Sequence, residues 1–65
     1  MAGSLYRELV DLLERAGCKF HRQGKGSHEI WQNPTIGKYF SVPCNINSRK
    51  LANRILKEAG LEKAF

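Results

Sequence analysis

The chain has 65 residues, 42% of them apolar, with 11 lysines and arginines against 6 acidic residues and a formal net charge of +5. That length allows one small domain over residues 1–65 and leaves no room for a large cofactor, and the apolar share is too high for a disordered basic tail. A basic surplus on so short a chain points to a polyanionic partner.

The first predicted element is a helix over about Ser4 to Ala16. Leu5, Leu9, Leu12, Leu13 and Ala16 recur at helical spacing, while Arg7, Glu8, Asp11 and Glu14 fall off that stripe. Tyr6 and Val10 widen its flank. Ser4 suits the N-cap, and Gly17 suits the left-handed residue that ends a helix. The charged residues among these apolar ones argue against a signal peptide, and no apolar run reaches membrane-spanning length. A soluble, cytoplasmic protein without a membrane partner is expected.

From Cys18 the period changes to two. Cys18 and Phe20 alternate with Lys19 and His21, as in a half-buried strand. Gln23–Gly24–Lys25–Gly26 reads as a tight reversal, and a second strand follows over His28–Gln32. Asn33–Pro34–Thr35–Ile36–Gly37 is a second turn. A third strand spans Lys38–Val42 and stops at Pro43. Short turns imply an antiparallel meander. After the loop Cys44–Asn47, either Asn47 or Ser48 can cap a second helix, with Leu51, Ile55 and Ala59 on one stripe, Ala52 and Leu56 beside it, and Gly60 at its end. Leu61 and Phe65 can return to the core. These elements give an α+β fold of order α-β-β-β-α, with both helices on one face of a three-stranded antiparallel sheet and the other face open.

Cys18 and Cys44 are read as reduced thiols, Cys18 as a small core residue. With His21 and His28 they make a poor zinc pattern, so neither a metal nor a cofactor is expected. The positive charge is segregated: from Gly17 to Arg54 only Glu29 is acidic. Lys50, Arg54 and Lys57, with Arg49 alongside, share an outward stripe on the second helix, and Lys19, Arg22 and Lys25 surround the first hairpin. Such runs serve solubility in many proteins, but segregation favours phosphate binding. Trp31 and Tyr39 either stack on bases from the open face or fill the core.

His28 stands directly after a glycine turn, where backbone bonds can hold it while its ring stays open to solvent. That position suits a general acid or base, and it equally suits a residue that merely begins a strand. Side chains alternate along a strand, so His28 shares a face with Ile30 and Gln32. If Ile30 faces the helices, His28 emerges at the edge of that face; if Trp31 does, His28 belongs to the open face.

Ala16–Gly17, Arg22–Gln23 and Gly26–Ser27–His28–Glu29–Ile30–Trp31, followed by Val42–Pro43 and the segment Leu51 to Leu61, resemble in order the HicA family of small mRNA interferase toxins. The resemblance covers nearly the whole chain. It implies a double-stranded-RNA-binding-like fold, endoribonuclease activity on mRNA, and a HicB-type antitoxin partner that covers the active site. Residue by residue, His28 matches the family's catalytic histidine, and Gly26 and Ser27 its preceding turn. Family members commonly have a basic residue and a second histidine after the Val-Pro, where this chain has Cys44 and Asn45. The resemblance and the charge together make His28 the candidate catalytic residue, with Arg22, Lys25, Gly26, Ser27, Lys50 and Arg54 as the candidate RNA- and phosphate-binding set. A metal-free cleavage is expected. The competing readings are a non-catalytic RNA-binding module of the same fold, and a small structural protein whose basic face is buried in an assembly.

Overall fold

The structure, a computed structural model, describes residues 5–65. Helix α1 spans Tyr6–Arg15 and helix α2 spans Arg49–Glu58. The proposed cap at Ser4 lies outside the described residues. Leu9 and Leu13 are fully buried, and Leu5, Tyr6, Val10 and Leu12 pack partly against them, so the apolar stripe is the face that α1 turns inward. Both helices end in the same way. Gly17 N–H donates to Glu14 and Cys18 N–H to Leu13, and Gly60 N–H donates to Lys57 and Leu61 N–H to Leu56. These are Schellman closures, which place the residue after the helix in the left-handed region, and Gly17 and Gly60 have φ of +93° and +84°. Ser48 caps α2, its hydroxyl accepting from Leu51 N–H at 3.2 Å.

Strands β1 (Lys19–Gln23), β2 (His28–Asn33) and β3 (Lys38–Pro43) form one antiparallel sheet in the order β1-β2-β3. Opposed residues share a face, so the register sorts the side chains. Glu29, Trp31, Asn33, Phe40 and Val42 point toward the helices, while His28, Ile30, Gln32, Tyr39 and Ser41 point away. Trp31 is only 3% exposed and joins Phe40, Val42, Ile46, Ile55 and Leu56 in the core. That settles the face of the second strand: Trp31 is the core residue, and His28 belongs to the open face.

Four details depart from the sequence reading. Phe20 is 51% exposed, touching Trp31 only edge-on with ring centres 6.2 Å apart, because β1 is an edge strand with every residue exposed. Pro43 does not stop β3 but closes it, paired with His28. Asn33 opens the expected turn, its carbonyl accepting from Ile36 and Gly37 N–H, but it is also the buried last residue of β2; its Nδ2 donates to Ala59 O at 2.7 Å and fastens the end of α2 to the sheet. Leu51, placed on the buried stripe of α2, is 38% exposed at that stripe's margin. Leu61 and Phe65 do return to the core, and Asn53 holds the tail through bonds with Ala64 and Phe65.

Candidate functional site

The hairpin between β1 and β2 is fixed almost wholly by backbone groups. Gly24 N–H donates to His28 O at 2.8 Å, and His28 N–H donates to Lys25 O at 3.0 Å. The Gln23 side chain crosses the turn, its Nε2 donating to Gly26 O and His28 O. Gly26 has φ of +58°, a conformation a side chain would strain. From the far side, Cys44 N–H donates to Ser27 O at 2.8 Å, and Ser27 Oγ lies 3.5 Å from Asn45 Oδ1. His28 therefore leaves a rigid turn with an exposed ring.

Two depressions border β3, one toward α2 and one over the sheet. His28, Ser41 and Pro43 line one, of about 210 Å³, whose opposite wall is α2 with Leu51, Arg54, Ile55 and Glu58. His21, Arg22, Ile30, Tyr39 and Ser41 line the other. Ser41 borders both, so the two depressions are neighbours along β3. Arg54 also borders a third hollow with Ser48 and Lys50. The structure thus places His28 and Arg54 on one depression, Lys50 beside Arg54 on the next, and Arg22 on the depression that Ser41 also borders. Lys25, Gly26 and Ser27 form the turn above His28; Lys25 and Ser27 serve it there through their carbonyls.

Glu29 turns inward beside His28. Its Oε1 accepts from Tyr6 Oη at 2.8 Å and Trp31 Nε1 at 2.9 Å, and its Oε2 accepts from Cys44 Sγ at 3.3 Å. Burial acts to raise the Glu29 pKa, but the three donors outweigh it and hold the carboxyl below its ordinary value. Burial, reinforced by the neighbouring Glu29, pushes the Tyr6 phenol up to about 12 and raises the Cys44 thiol. One carboxylate thereby ties α1, β2 and the loop after β3 beneath the site.

Over residues 6–61 the chain matches the family model described as HicA toxin of bacterial toxin–antitoxin. The chain belongs to the HicA toxin family. It is the toxin of a toxin–antitoxin system, and an antitoxin is its partner. Comparison with curated proteins and with solved structures yields no match.

In this HicA chain the residues after Val42–Pro43 are turned to support. Cys44 bonds Glu29 through its thiol and Ser27 through its amide, so that position bears on the fold of the turn. Sequence reasoning passed over Ser41, Leu51 and Glu58 as site residues. Ser41 was legible as an outward residue once Val42 is assigned inward, but Leu51 and Glu58 reach the site only because α2 packs along β3. Glu29 is therefore not the only acid near His28, since Glu58 closes one end of the same depression. Among the described residues no helix is long and apolar enough to cross a membrane.

Proposed function

We propose that this HicA toxin is an endoribonuclease that cleaves mRNA by metal-independent acid–base catalysis at His28, inhibiting translation and growth in the cytoplasm. The observation that carries the reading is that the exposed His28 lines one depression with Arg54, while Ser41 on its border also borders a second depression lined by Arg22. In such a reaction the ribose 2′-oxygen attacks the adjacent phosphorus and the bond from phosphorus to the 5′-oxygen breaks. His28 either takes the proton from the 2′-hydroxyl or gives one to the departing 5′-oxygen. The products are a 2′,3′-cyclic phosphate and a 5′-hydroxyl end. Arg54 and Arg22 offset the charge that builds on the phosphorane oxygens, Lys25 and Lys50 draw in the flanking phosphates, and Gly26 and Ser27 shape the turn.

Metal-free chemistry is favoured by the state of the nearby acids. Both oxygens of Glu29 are already engaged by three donors, which leaves Glu58 as a single carboxylate against the usual need for several oxygen ligands. A HicB-type antitoxin fits the toxin by meeting this basic face with acidic groups. The test is to incubate the purified protein with a labelled transcript in excess EDTA. New 5′-hydroxyl ends are expected. A strict requirement for Mg²⁺ would overturn the metal-free step, and binding without new ends would replace the nuclease with a non-catalytic RNA-binding module.

A further inference from the structure

We propose that the open sheet face around Tyr39 is a binding site for an unpaired nucleobase, which makes single-stranded RNA the form of substrate presented to His28. The inference rests on the nuclease reading above and adds what the substrate must look like. Tyr39 is 58% exposed in a domain that buries Trp31 and Phe40 almost completely. Its ring meets the His21 ring edge-on, with centres 4.9 Å apart and planes at 69°. The His21 ring thus braces Tyr39 beside Ile30, and more than half of the Tyr39 surface stays open to a stacking partner.

The bulge in β1 builds this arrangement. Phe20 pairs with Trp31, but Arg22, two residues on, pairs with Ile30, so His21 is the extra residue. In a regular ladder His21 would oppose Ile30 and Arg22 would oppose Glu29 on the helix side; with the bulge, Arg22 shares the open face of Ile30. Bulges re-aim side chains in this way beside functional sites. The result is a hollow of about 350 Å³ with an aromatic wall, an aliphatic floor and a guanidinium, and no carboxylate among its lining residues. That volume suits a small planar group.

Ser41 connects this hollow to the one that holds His28, and Tyr39 and Ser41 are two residues apart on one strand, about 6.6 Å. A base stacked on Tyr39 thus lies next to the phosphate that His28 and Arg54 would hold. An A-form duplex keeps its bases stacked inside and cannot offer one to Tyr39 without unpairing it, whereas a single strand can. Arg22 beside an exposed aromatic, in a chain of net charge +5, favours nucleic acid over a protein segment, which would need no stacking plane.

The test uses a short oligonucleotide with 2′-O-methyl riboses, which lacks the attacking hydroxyl, either unpaired or annealed to its complement. The native protein is expected to bind the unpaired form more tightly. Tyr39→Ala and Tyr39→Gln should each weaken that binding about tenfold or more, Tyr39→Phe should retain it, and binding of the duplex should not respond to position 39. Circular dichroism checks that each variant is folded. Unchanged affinity of folded Tyr39→Ala for the unpaired strand would overturn the proposal, as would tighter binding of the duplex. None of those results touches His28-dependent cleavage. Conversely, cleavage that survives His28→Ala would overturn the nuclease reading and leave the stacking result standing.

Discussion

The amide of Cys44 donates to the carbonyl of Ser27 at 2.8 Å, so the loop that follows β3 holds the turn from which His28 emerges. The Cys44 thiol, on the same residue, bonds the Glu29 carboxylate next to His28. The support of the site is therefore built from backbone groups and one inward carboxylate, and the ring itself is left free for chemistry. Rigid support matters because small displacements of a catalytic group are costly, reaching about 10²-fold for 1 Å.

The two glycines of the turn should separate geometry from stability. A Cβ at Gly24 would sit 3.0 Å from the His28 carbonyl oxygen, whereas one at Gly26 would meet nothing within 4 Å but would carry a φ of +58°. Gly26→Ala should therefore cost about 1–2 kcal/mol in urea unfolding with cleavage largely kept. Gly24→Ala should lower kcat about tenfold or more by pushing on the His28 backbone. Equal kcat for the two variants would contradict this view of the turn.

The order of elements, most of the inward face of each helix and the Gly60 boundary were legible because each has a local cause, spacing or a left-handed residue, while the fold chose Ser48 over Asn47 as the cap of α2. The face of His28 was not, since Ile30 and Trp31 are adjacent apolar residues and either could have turned inward. Long-range packing decided it, when Trp31 joined the buried residues of both helices. The same holds for Arg22, whose face depends on a bulge that no residue type announces. Glu58 and Leu51 enter the site through helix placement alone, and Tyr39 was legible only as one of two aromatics whose roles the fold then divided.

Stability should fall at both ends of the pH scale, through one network. Glu29 has a folded pKa below its ordinary 4.5, so its contribution is complete above that value and is lost as pH falls through the folded pKa. Tyr6 has a folded pKa raised from 10.0 to about 12, so its contribution is complete below pH 10 and is lost as pH rises toward 12. Cys18 and Cys44, raised mainly by burial, act in the same alkaline direction from about pH 9.0 upward. Urea midpoints measured across pH should show both limbs. Glu29→Gln should flatten the acid limb and Tyr6→Phe the part above pH 10; a Tyr6→Phe profile identical to native would exclude the phenol as its source.

Arg54 faces His28 across the depression, and its part in RNA binding should be electrostatic. Arg54→Ala should weaken binding of unrelated single-stranded sequences by similar factors and reduce the slope of log affinity against log salt by about 0.7. A loss confined to one sequence would instead make Arg54 a reader of bases.

The most direct measurement compares native protein and His28→Ala on one labelled transcript, with growth inhibition followed in parallel. His28 is exposed, so the variant should fold as the native chain does. We predict new 5′-hydroxyl ends and arrested growth with the native protein, and neither with His28→Ala at equal concentration. Cleavage or toxicity that persists in a folded His28→Ala protein would contradict the account.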